Sequence, residues 1–195
     1  MSRAGRPTLT TPEAWAEAAL LEIEETGVRG LSAEACARRL GVSKGGLYHH
    51  FADRRALLRA ALDLWRARHV TALTARFDAI ADPRRRLHDL LVYAGVGIQP
   101  TVIVQLLAAS DDPDVAAVLA QSSAERLDLL RRTFRQLGAS RAAADHRALI
   151  TYGHFLGLAQ LRAQDPALLA TPARMRAHLR ELEAGLLVGI DAERR

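Results

Sequence analysis

The sequence predicts an all-α protein, with a three-helix helix-turn-helix head in residues 1–52 followed by a larger helical-bundle body in residues 53–195. Three observations predict it. Apolar residues recur three and four positions apart through most of the chain, the spacing that lines one face of a helix. Residues suited to capping helix starts, Thr11, Ser32, Ser43, Asp53 and Ser140, stand just ahead of these stripes. Alternating β-branched runs and hairpin dipeptides are absent from the sequence.

The first helix opens at Thr11-Pro12-Glu13, with threonine as cap and proline at the first helical position, where its missing N–H costs nothing. Trp15, Ala18, Ala19 and Ile23 form its inner face, and Gly27 and Gly30 end it. Ser32 caps the second helix. Ala33, Cys36, Ala37 and Leu40 make its buried stripe, and Gly41 supplies the left-handed residue that stops it. Cys36 is the only cysteine, so intrachain disulfides are excluded, and its inward position reads as a small core residue rather than a redox sensor. Val42 plugs the turn and Ser43 is expected to cap a third helix starting at Lys44. Two helices joined by so tight a turn are helix-turn-helix grammar, in which the later helix lies in the major groove of DNA.

That helix opens on Lys44, Gly45 and Gly46, although each glycine inside a helix costs roughly 1 kcal/mol against alanine. A bare backbone at the positive end of a helix allows close approach to a phosphate or a base edge. Lys44 is the only lysine among 27 basic residues. Tyr48 suits either a phosphate contact or packing, and Leu47 and Phe51 read as core. His49 and His50 are neighbours on a helix and so do not converge on a metal; no metal site is expected.

The run Gly41-Val42-Ser43-Lys44-Gly45-Gly46-Leu47-Tyr48-His49-His50-Phe51, followed by Asp53-Arg54 and Leu57-Leu58, resembles the N-terminal domain of the TetR family of bacterial transcriptional regulators. The likeness extends from about Thr10 to Leu62. It implies phosphate contacts from Ser32, Ser43, Tyr48 and Arg54, and groove contacts from Lys44, Gly45, Gly46 and His49. Arg54 stands where the family usually has lysine, and Glu22 where an apolar residue is common. Ahead of the head, Arg3 and Arg6 sit beside Gly5 and Pro7 without apolar pattern, which suits either insertion into a minor groove or a frayed, solubilising end.

Asp53 is expected to start one rigid rod running through Leu57, Leu58, Ala61, Leu62, Trp65 and Val70 to Phe77 or Ile80. Further helices follow from Pro83 to Val96, from Thr101 to Ala109, from Asp114 to Leu137, from Ser140 to about Arg162, and from Pro172 to Ile190, each bounded by glycine, proline or aspartate. Near the end, Gly153 and Gly157 lie one helical turn apart, and Met175, Leu179, Leu182, Leu186 and Ile190 make an apolar stripe. These residues suit a plain intrachain face or a four-helix contact between two copies. The family resemblance favours the second and implies a homodimer on a palindromic, double-stranded operator.

The resemblance also implies a small-molecule cavity in the middle helices. His88, Tyr93, Gln99, Gln105, Tyr152 and His154 are polar or amphipathic residues among apolar neighbours, so they read either as ligand contacts or as satisfied core groups. A hydrophobic or aromatic effector fits such a lining. A net charge of +5 and a pI near 10.3 agree with a polyanionic partner. No signal peptide or membrane-length apolar stretch is found, so a cytoplasmic location without membrane association is expected. With no nucleophile–base pair, metal-ligand spacing or phosphate-binding glycine loop, neither enzyme chemistry nor a cofactor is expected. The sequence reading is therefore a ligand-released homodimeric repressor; the alternative is a ligand-independent DNA-binding activator or architectural protein.

Overall fold

The computed structural model describes residues 10–97 and 101–190, which are helical with no strand among the described residues. Arg3, Arg6 and Gln99 lie outside them. Helix α1 spans Pro12–Gly30 and starts as its sequence requires: the Thr11 hydroxyl accepts from the Ala14 amide at 3.2 Å. Gly27, at φ +76°, kinks the helix without ending it, and the chain stays helical to Gly30. Helix α2, Ala33–Leu40, is capped by Ser32, whose Oγ accepts from the Ala35 amide at 3.1 Å, and it stops at left-handed Gly41.

Residues Lys44–His49 form a 3-10 segment rather than an α-helix, and the Ser43 side chain makes no cap hydrogen bond. The amide of Gly46 instead donates to the Ser43 carbonyl at 3.0 Å, closing the tighter turn. Helix α3 runs Arg54–Arg66 behind an Asp53 cap, then passes through a π-turn at Ala67–Thr71 into α4, Ala72–Asp78. The expected rod is thus continuous in backbone but slips register at the π-turn, where Val70 is buried.

Helix α5, Pro83–Val92, leads into a second π-turn at Tyr93–Gly97. Then come α6 Thr101–Ala108, α7 Pro113–Leu137, α8 Arg141–Gln164 and α9 Pro172–Leu187. Ser140 and Thr171 cap the last two through their hydroxyls. No single helix among the described residues is long and apolar enough to cross a membrane.

The chain forms two compact units. The first comprises the residues up to Arg68 together with Gln105–Leu119; the second comprises His69–Val104 and the residues from Ala120 onward. In the first, Trp15, Ile23, Leu47, Leu57, Leu58 and Leu62 are almost wholly buried, and the Trp15 indole N–H donates to Thr10 Oγ1 at 2.9 Å. Glu22, the acidic residue on an otherwise apolar face, is buried and lies 3.5 Å from the Arg39 guanidinium, which also reaches Glu25 at 2.6 Å. A charge in this core is tolerated because it is paired across α1 and α2. Arg29 to Asp111, and Arg55 to Asp114 at 2.6 Å, tie the segment entering α7 to the same unit.

The second unit packs Leu87, Leu130, Phe134, Tyr152, Met175 and Leu186 into one core. Buried Arg86 anchors the end of α4: its Nη2 and Nε donate to the Ile80 carbonyl at 2.6 and 3.0 Å, and Nη1 donates to Gln136 at 2.7 Å. Here the structure corrects the reading of α9 as a contact surface. Met175, Leu179 and Leu186 are buried inside the unit, and Leu182 packs against the same core. The reason is a notch at Gly95: a Cβ there would lie 2.8 Å from Leu179 Cδ1 and 3.1 Å from Met175 Sδ. The missing side chain lets the apolar stripe of α9 seat inward.

Candidate nucleic-acid interface and body cavity

The 3-10 segment presents an open, partly cationic face. Ser43, Lys44, Gly45, Tyr48 and His49 are all exposed, and Tyr48 keeps 59% of its surface in solvent although Leu47 beside it is buried. A phenol ring left this open is not serving as core. Lys44 Nζ meets Glu34 Oε1 at 2.5 Å across the turn. Hydrogen bonding to Lys44 holds the Glu34 carboxyl below the usual glutamate range, and Glu34 in turn raises Lys44, so both stay charged at neutral pH. Glu34 is a counter-ion that the sequence reading did not assign, and it competes with any phosphate for the only lysine.

The two glycines separate in role. A Cβ on Gly45 would find only Ser43 Oγ, at 3.7 Å, so its bare backbone faces open space. At Gly46 a Cβ would stand 3.3 Å from Trp15 Cζ2, so this glycine is required by the neighbouring indole. The expectation that both are bare for an external surface is corrected for Gly46. Ser32, half-buried, uses its hydroxyl to cap α2.

Arg54 is also corrected. Its Nε donates to the Leu31 carbonyl at 2.7 Å and its Nη2 to the Val28 carbonyl at 2.6 Å, so the guanidinium closes the C-terminal end of α1. The acceptors left over at a helix end account for this attraction. The sequence signal for it, an arginine in the first turn of α3, is indistinguishable from that of a phosphate ligand.

Within the second unit lies a cavity of about 100 Å³. Of the residues proposed for it from sequence, Tyr93, Tyr152 and His154 line it. His88 does not: its Nδ1 pairs with Glu183 Oε2 at 2.8 Å on an exposed surface. Gln105 belongs to the first unit, with its Oε1 3.1 Å from where a Cβ of Gly27 would stand. Phe77 and Arg126, which sequence reasoning missed, also line the cavity, as does Phe155. The signal for Arg126 was present, since it stands one turn before buried Leu129 and Leu130, where the apolar stripe of α7 calls for a hydrophobic residue.

His154 Nε2 lies 3.2 Å from His178 Nε2. Burial, then the proximity of His178, pushes the His154 imidazole below its ordinary value. No group of three or more His, Cys, Asp or Glu is placed to hold a metal among the described residues. Cys36 is buried and its thiol is pushed up to about 11, by burial first and by Glu22 second, so it is protonated at neutral pH.

Residues 16–61 match the family described as bacterial regulatory proteins, tetR family. The head is thus similar to that family's. The head is 37% identical over 80 residues to the HTH-type transcriptional regulator BetI of Paraburkholderia xenovorans, covering 38% of this chain and 39% of that protein. It is 39% identical over 71 residues to the tetracycline repressor protein class A of Escherichia coli, covering 36% and 33%. The matched region thus spans little more than a third of these relatives. Over the full fold, a transcriptional regulator from Rhodococcus sp. Rha1 superposes with a TM-score of 0.78 at 25% identity, covering 93% of this chain and 98% of that one. These relatives are transcriptional regulators, not enzymes. The matched stretch contains the capped helix α2, the glycine turn and the Lys44–His49 segment in succession.

Proposed function

We propose that this chain is a homodimeric transcriptional repressor that binds a palindromic operator through its head and leaves it when a small molecule enters the body cavity. The observation that carries the reading is the exposed Ser43–His49 face, with bare Gly45, cationic Lys44 and solvent-open Tyr48 on one surface. Lys44, Tyr48, His49 and Ser43 are the assigned DNA contacts; Gly46 and Arg54 support them from within.

Helix α7 supports the ligand-responsive part. Near its start, Asp114 holds Arg55 at 2.6 Å and stands 3.8 Å from Arg59; further along, Arg126, Leu129 and Leu130 line the cavity. Helix α7 therefore has residues in both units, a head contact in the first and cavity-lining side chains in the second. Differential affinity of an effector for two positions of such a helix is what coupling requires, typically about 1–3 kcal/mol.

For the dimer, the supporting faces are outward ones. Ile150, Gly153, Gly157 and Leu161 share one stripe of α8, and a Cβ at either glycine would meet nothing within 4 Å. On α9 the exposed stripe is Ala173, Ala177 and Ala184. Small residues flanked by exposed Ile150 at 57% and Leu161 at 52% suit close approach of helices from a second copy.

Selection of genomic fragments by the purified full chain, followed by fluorescence anisotropy on the recovered duplex, tests the reading. Lys44→Ala is expected to weaken binding and lower the salt slope by about one unit, whereas Glu34→Gln, which releases Lys44, is expected to tighten it. Retention on no double-stranded fragment overturns the proposal.

A further inference from the structure

Aromatic side chains are scarce in this chain, yet they gather at the body cavity. Of four phenylalanines and three tyrosines, Phe77, Tyr93, Tyr152 and Phe155 line it. Phe77 and Tyr93 meet edge to face with centroids 5.5 Å apart, and Tyr152 and Phe155 stack at 6.2 Å. Such paired rings offer both faces and edges to a flat guest. The volume, about 100 Å³, is on the scale of a single six-membered ring; an apolar cavity of roughly 150 Å³ accepts benzene.

One wall carries a fixed cation. The Arg126 guanidinium donates from Nη2 to the His69 carbonyl at 3.1 Å, and its Nη1 lies 3.5 Å from the Tyr152 hydroxyl, which is itself 3.1 Å from Ser123 Oγ. Its central carbon stands 5.9 and 5.8 Å from the Tyr152 and Phe155 ring centroids. The rings and the carbonyl hold the group in place.

We infer that the effector is a monocyclic aromatic carboxylate of benzoate or phenylacetate size, its ring among Phe77, Tyr93, Tyr152 and Phe155 and its carboxylate on Arg126 and the Tyr152 hydroxyl. This rests on reading the cavity as the effector site. A carboxylate gains charge-assisted hydrogen bonds from the guanidinium, about twice as strong as the neutral ones open to an amide of the same shape. A long acyl chain leaves most of its length outside a space of about 100 Å³, and a ring without the acid forgoes the cation.

Calorimetric titration of the full chain with benzoate, phenylacetate, benzamide and palmitate tests the inference. Benzoate or phenylacetate is expected to bind roughly tenfold or more tightly than benzamide, and Arg126→Gln to abolish that preference. Equal binding of benzoate and benzamide, or binding of palmitate alone, overturns it. Should Arg126→Gln lose its helical circular dichroism, the acid-to-amide ratio of the parent chain still decides. Anisotropy on operator DNA keeps the two proposals apart. A chain that binds the ring acids but retains no duplex defeats the repressor reading alone, and one that binds duplex but none of the ring acids defeats the effector assignment alone.

Discussion

At the scale of single residues, adjacent Gly45 and Gly46 show how one sequence signal hides two causes. Gly46 lacks a side chain because Trp15 occupies the space, while Gly45 lacks one with nothing of this protein beside it. Gly45→Ala is therefore expected to leave thermal stability unchanged or raise it by up to about 1 kcal/mol while reducing duplex affinity. Gly46→Ala is expected to cost about 1–3 kcal/mol by pressing a methyl into a packed indole. Denaturant unfolding beside anisotropy separates the two, and equal stability effects would remove the distinction. The histidine pair gives a second expectation. His154 is held below the ordinary value of 6.5, so in the pH window just under that value the unfolded chain binds more protons than the folded one. Stability should then fall as pH drops below about 6.5 and level off once the folded imidazole also protonates. His154→Gln should flatten the melting temperature over that window. The roles of Gly46 and Arg54 were hidden in the sequence because each is set by a partner on another helix, Trp15 in one case and the end of α1 in the other.

At the scale of elements, caps and stops were legible because their physics is local. Thr11, Ser32, Asp53, Ser140 and Thr171 each accept from an amide three residues on, and Gly41 takes the left-handed conformation. Less legible were the 3-10 form of Lys44–His49 and the two π-turns, whose sequences carry no distinct periodicity. Helix α9 has two usable stripes, one of large apolar residues and one of small ones, and Gly95 selects the large one for the core. Accordingly, Ile150→Glu on the outward face of α8 is expected to shift the chain from dimer to monomer in sedimentation without loss of helicity. Leu179→Ala is expected instead to destabilise by about 2–5 kcal/mol, the cost of a cavity in a core. A monodisperse dimer for Ile150→Glu would move the interface elsewhere.

At the scale of the whole molecule, the compact unit around the head takes in Gln105–Leu119 as well as the helix-turn-helix. The Arg55–Asp114 pair is one reason, and hydrogen bonding to Arg55 holds Asp114 below the usual aspartate range. Asp114→Asn is expected to leave effector binding intact while shrinking the effector-induced loss of duplex affinity, read by anisotropy with and without ligand. An unchanged ratio would dismiss α7 as the connecting element. By itself the sequence determined the all-α class, the helix-turn-helix, most helix boundaries and the exposed cationic face, since each follows from periodicity or from groups within four residues. Tertiary structure decided which stripe of α9 is buried, why Gly46 and Arg54 are needed, and that Phe77, Arg126 and Phe155 share a cavity while His88 and Gln105 stand outside it. Those outcomes depend on atoms brought together from 23 to 95 residues apart, as in Arg54 to Leu31 and His88 to Glu183, and no local pattern encodes such distances.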